Sequence, residues 1–88
     1  MKVYLVFREY YGCQDNSCGD VLLGVYSSMD AAICARTKRV NDDIIKNQIL
    51  DIEVRQSLDD DDNPVLTLRD SDGDFEEFTY TIEEWDVQ

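Results

Sequence analysis

The segment Val3 to Tyr11 (VYLVFREYY) constrains the fold more than any other. It is dense in β-branched and aromatic residues, and both of its alternating sets are apolar: Val3, Leu5 and Phe7 on one side, Tyr4, Val6 and Tyr10 on the other. A strand that is apolar on both faces belongs in the interior of a sheet. After it, Gly12 to Gly19 (GCQDNSCG) reads as a turn-rich loop, and Val21, Leu23 and Val25 alternate in a second strand, so the two strands form an antiparallel hairpin.

The period changes at Tyr26. Ser27 with Asp30 approximates a capping box, and Met29, Ala32, Ile33, Arg36 and Val40 fall at helical spacing, predicting a helix from about Ser28 to about Val40. Asn41, Asp42 and Asp43 either end that helix or sit on the wet side of a continuation that buries Ile44 or Ile45. Leu50, Ile52, Val54 and Leu58 then fit a period of two, with Asp51, Glu53 and Arg55 pointing the other way, as a third strand. Asp59 to Asn63 and Pro64 form a connection whose four adjacent carboxylates neither pair nor bury, and Val65 to Arg69 is a fourth strand.

Asp70 to Asp74 is a hairpin turn. A two-residue Asp72-Gly73 turn divides the apolar residues between faces, whereas a three-residue loop with Gly73 in the left-handed conformation aligns Leu66 and Leu68 with Phe78, Tyr80 and Ile82. The three-residue loop is therefore expected. The order is ββαβββ: a single α+β domain over 1–88, with an antiparallel sheet of about five strands and one main helix on one face. One helix covers one side, leaving Tyr4, Val6, Tyr10, Leu22 and Tyr26 to gather on the opposite face. Two readings of that aromatic set stand side by side, a homodimer contact and a sheet that curls to cover its own face.

Charge divides the chain unevenly. After Gln56 there are twelve acids and one base, Arg69, a local charge of −11; up to Gln56 there are eight acids and seven bases, which completes the overall −12. Such a balance disfavours direct binding to nucleic acid or an anionic membrane and favours a basic protein partner. The plainer alternative is that negative charge serves solubility alone. No apolar run reaches the roughly 18 residues of a membrane helix, so a cytoplasmic location is expected.

The residues offer little to catalysis. There is no histidine, the neighbouring acids Glu76–Glu77 and Glu83–Glu84 point to opposite faces of a strand, and the glycines form no phosphate-cradling motif, so a non-enzymatic protein without cofactor is expected. Cys13 and Cys18 flank the first hairpin loop and could close a disulfide if oxidised, leaving Cys34 over; three cysteines without histidine fall short of a zinc site. A calcium loop opening at Asp70 fails as well, having Phe75 where the turn glycine belongs and Thr81 where the bidentate glutamate belongs. What remains is recognition by carboxylates: Asp59, Asp60, Asp61, Asp62, Asp70, Asp72, Asp74, Glu76, Glu77, Glu83, Glu84 and Asp86, with Trp85 as an aromatic anchor.

The opening Met1-Lys-Val-Tyr-Leu-Val-Phe7 followed by Gly24-Val-Tyr-Ser-Ser-Met-Asp-Ala-Ala32 resembles a group of small phage and bacterial proteins of unassigned function, in which a strand pair runs into a helix. The acidic second part is similar in composition to phage-encoded DNA mimics and inhibitors of host nucleases, including anti-restriction and anti-CRISPR proteins. That resemblance implies an inhibitor that occupies a basic nucleic-acid-binding surface of a host protein in the host cytoplasm.

Overall fold

A computed structural model describes residues 1–11, 20–46, 49, 51–70 and 77–87. The loop 12–19 with Cys13 and Cys18, Leu50, and the turn segment 71–76 with Asp72, Gly73, Asp74 and Glu76 lie outside the described residues. The elements are β1 (Lys2–Tyr11), β2 (Asp20–Tyr26), α1 (Met29–Lys46), β3 (Ile52–Leu58), β4 (Pro64–Asp70) and β5 (Glu77–Asp86). All strand pairs are antiparallel and the sheet order is β2-β1-β5-β4-β3, so β1 is interior as its two apolar sets require.

Leu66 pairs with Tyr80 and Leu68 with Phe78, the register that places Leu66, Leu68, Phe78, Tyr80 and Ile82 on one face. These five are buried there, with Val40 of α1 and Ile49 against Leu66, Leu68, Phe78 and Tyr80, and with Val6 and Ala32 beside Ile82. The buried stripe of α1 is Ala32, Arg36, Val40 and Asp43, spaced by four, four and three residues as one helix face demands. That stripe runs past Val40, which is why the helix continues to Lys46. Asn41 and Asp42 are on the wet side as expected, but Asp43 is not, and of the two isoleucines Ile44 packs against the core while Ile45 is exposed. The helix start also differs by one residue: Ser28, not Ser27, is the cap, its Oγ accepting the Ala31 amide at 3.1 Å.

The set expected on the open face is on the covered one. Val6 is buried beside Ala32 of the helix, and Tyr4, Tyr10 and Tyr26 pack on that same side; of the five residues named, only Leu22 points away, opposite Phe7. Two apolar sets on one strand do not say which of them the helix takes. Arg8 decides it, because it shares the side of Val6 and Tyr10 and reaches Asp43 on α1. The open face is therefore built from Val3, Leu5 and Phe7 of β1, Leu22 and Val25 of β2, and Trp85 of β5, which lies opposite Val3. No described element covers it.

A bulge between Val6 and Phe7 in the pairing with β2 sets Leu23 and Gly24 both toward Val6, which brings Leu23 into the core against the strict alternation of Val21, Leu23 and Val25. Gly24 is needed beneath the Tyr26 ring: a Cβ there would stand 2.6 Å from the Tyr26 hydroxyl and 2.9 Å from its ring.

Candidate acidic interface

The turn joining β3 to β4 is ordered by its own carboxylate. Asp59 Oδ1 accepts the backbone amides of Asp61 and Asn63, both at 2.9 Å, and Oδ2 accepts the Asn63 side-chain amide at 3.2 Å. These donors, the Asn63 backbone amide first, hold the Asp59 carboxyl below its ordinary value. The expectation of four unpaired carboxylates is thus corrected for Asp59, whose lone pairs are engaged inside the loop. Asp60, Asp61 and Asp62 are exposed.

The Asp62 amide donates to the Asp59 carbonyl at 3.1 Å, and Asp62 has φ 62°, so the hairpin closes as a three-residue loop with its last residue left-handed. Aspartate tolerates that conformation better than most residues, but glycine has no Cβ to oppose it. Asp62→Gly is expected to raise stability by up to about 1 kcal/mol, read as a higher urea midpoint with an unchanged slope.

Topology gathers the acids of this loop with those of β5. Because β4 and β5 are antiparallel with Val65 opposite Thr81, the loop after β3 and the end of β5 project from the same end of the sheet. Glu83, Glu84 and Asp86 are there, α1 begins there with Asp30, and Trp85 is 54% exposed among them. The Trp85 indole N–H donates to Glu83 Oε1 at 3.0 Å, and Glu84 takes the Tyr4 hydroxyl at 3.2 Å and Lys2 at 3.5 Å. Two other nominated acids do not join them. Asp70 and Glu77 stand at the opposite ends of β4 and β5, about 20 Å away for strands of this length, and Asp72, Asp74 and Glu76 fall in the segment between them, outside the described residues.

What sequence reasoning missed is a charged cluster under the helix. Asp43 is 1% exposed. Arg8 grips it with two bonds, Nε to Oδ2 at 2.8 Å and Nη2 to Oδ1 at 3.0 Å, Arg39 Nε lies 3.5 Å from Oδ1, and the Tyr80 hydroxyl donates to Oδ2. The Arg8 guanidinium also lies over the Phe78 ring at 4.8 Å, and Phe78 stacks on Tyr10 at 4.7 Å. Burial first, then the bond to the carboxylate, holds the Tyr80 phenol above its ordinary value, so it remains a donor. The bonds of Arg8 and Tyr80 to one carboxylate make the cluster a structural clamp between α1, β1 and β5.

Arg36 is different. It is 9% exposed, its Nε has no hydrogen-bond partner among the described residues, and it lines a cleft of about 240 Å³ with Gln56, Ser57, Leu58, Pro64 and Val65. Burial lowers its affinity for the proton. Arg36→Met keeps the buried stem and removes the charge, so it is expected to stabilise the fold by about 1 kcal/mol, measured by urea denaturation.

Cys34 is exposed on α1, and no group of three or more His, Cys, Asp or Glu among the described residues is placed to hold a metal ion. Among the described residues no helix is long and apolar enough to cross a membrane. No protein-family model matches the chain, no curated protein matches its sequence, and no solved structure matches its fold.

Proposed function

We propose that the chain is a small non-enzymatic inhibitor, of the phage-encoded kind, whose acidic end docks on a basic nucleic-acid-binding surface of another protein. The observation that carries this reading is the meeting, at one end of a rigid sheet, of Asp60, Asp61 and Asp62 with Glu83, Glu84, Asp86 and the exposed Trp85. Carboxylates fixed on a sheet stand in for phosphates without the conformational cost of ordering a tail. They speed encounter with a positive surface and make it salt-dependent. Charge alone holds weakly, and affinity needs a desolvated anchor. Trp85 and its open-face neighbours Val3, Leu5 and Val25 supply apolar surface directly beside the acids.

The test is capture from a bacterial lysate on the immobilised protein at low and high salt, with duplex DNA as competitor. A nucleic-acid-binding protein retained at low salt and displaced by DNA supports the reading. Asp60→Asn, Asp61→Asn and Asp62→Asn together are expected to weaken that retention by about tenfold or more, each lost charge pair being worth a few tenths to about 1 kcal/mol. Retention of nothing that DNA displaces would refute it.

A further inference from the structure

We propose that the free edge of β3 pairs with β3 of a second copy about a two-fold axis, joining two five-stranded sheets into one of ten. The sheet has two free edges, and they are built differently. The β2 edge carries the bulge at Leu23 and Gly24, a device that spoils edge-to-edge pairing; β3 runs through seven uninterrupted pairs with β4, from Ile52 opposite Asp70 to Leu58 opposite Pro64, with no bulge, proline or lysine. An unbroken edge of that kind is a template for another strand.

The side chains select the register. On the open face the row across the sheet alternates in sign, Glu77 opposite Arg69 and Arg69 opposite Glu53, and it stops at the edge. If Val54 pairs with Val54 of the second copy, Glu53 meets the second copy's Arg55 and Arg55 its Glu53, extending the alternation twice. A shift of the centre to Glu53 or to Arg55 sets like charges opposite each other instead. In the single chain Arg55 Nε turns back to Glu53 at 3.0 Å, an exposed pair that exchanges partners on association. On the helix side Ile52, Val54 and Leu58 are 48%, 47% and 64% exposed. In the same register each Ile52 stands opposite Gln56 of the other copy with Val54 and Leu58 diagonal to it, so the centre of the seam is apolar and each Ile52 keeps apolar neighbours across it.

Each copy carries −12, and of the two edge strands β3 is neutral, since Glu53 and Arg55 cancel within it, whereas β2 carries Asp20 without a base. The pairing keeps both helices on one side and points the two acidic ends in opposite directions, so it does not depend on what those ends bind.

Light scattering and sedimentation at physiological salt, up to about 1 mM protein, test it; the net repulsion is then screened beyond about 8 Å. The wild type is expected to dimerise. Glu53→Arg and Arg55→Glu are each expected to weaken the dimer at least about tenfold, and the double exchange Glu53→Arg/Arg55→Glu to restore it. With Cys13, Cys18 and Cys34 replaced by serine, Val54→Cys is expected to give a disulfide-linked dimer on mild oxidation, and Val25→Cys on the other edge none. A wild type that stays monomeric, a dimer indifferent to both single exchanges, or cross-linking at position 25 but not 54 would overturn the proposal. Glu53 is half-buried and Arg55 exposed on the edge strand, and urea titration of each variant checks that the exchange leaves the fold intact.

Discussion

Asp43→Ala is expected to lower the unfolding free energy by about 3–5 kcal/mol, because it strands the Arg8 guanidinium under the helix without its carboxylate. A domain of this size has roughly 5–15 kcal/mol in total, so the variant should be partly unfolded in water or lose its upper baseline in a urea titration. The size of the loss reflects the unpaired charge more than the strength of the pair. Replacing the cluster as a unit, with Arg8→Met, Asp43→Leu and Tyr80→Phe together, is therefore expected to recover most of the stability, since apolar groups of similar volume leave nothing unpaired. Tyr80→Phe alone should cost only about 1 kcal/mol, because the carboxylate keeps both bonds from Arg8. Equal losses for the single and triple variants would contradict this description of the clamp.

Phe78→Ala is the second large effect, expected at about 3–5 kcal/mol. The ring is fully buried, stacks on Tyr10 and forms the floor on which the Arg8 guanidinium lies. Its removal leaves a cavity between β5 and the helix and takes away the aromatic face that helps Arg8 tolerate burial. Phe78→Leu refills part of that volume and should cost about half as much, which a pair of urea titrations will show. Because Phe78 and Asp43 share Arg8, the two losses should fall short of additive.

Much of this fold is legible in the chain. The doubly apolar β1 segment requires neighbours on both edges, and it has β2 and β5. The apolar alternation of Leu66 and Leu68 with Phe78, Tyr80 and Ile82 puts the five on one face, and they share it, but with Leu66 opposite Tyr80 the strands are two residues away from the register that a three-residue loop ending at Gly73 would set. The side taken by the helix was harder to read. The tyrosines make Tyr4, Val6 and Tyr10 the less apolar set, so hydrophobicity favours Val3, Leu5 and Phe7 as the covered side, and it is the other set that faces the helix. The discriminating signal was polar: Arg8 interrupts the first set, Asp43 interrupts the buried stripe of α1 three residues after Val40, and two opposite charges in two core stripes can be buried only against each other.

For the acidic interface, composition identifies the residues but not their arrangement. Asp59 to Asp62 and Asp70 to Glu77 look alike as acidic stretches. Strand direction puts Asp59 to Asp62 at one end of β4, the end of Glu83, Glu84, Trp85 and Asp86, and Asp70 with Glu77 at the other. The internal bonds of Asp59 depend on the conformation of a five-residue turn, and no residue pattern announces them.

In the proposed interface the position of the charge, and not its amount, decides binding. Two variants with the same net charge separate these alternatives: Asp60→Asn/Asp61→Asn/Asp62→Asn at the acidic end, and Asp72→Asn/Asp74→Asn/Glu76→Gln in the segment that joins the far ends of β4 and β5. The measurement is the affinity of each for the DNA-displaceable protein captured by the wild type. The expected result is a drop of about tenfold or more for the first variant and little change for the second; an equal drop for both would mean that the acids act only through net charge and would contradict the interface.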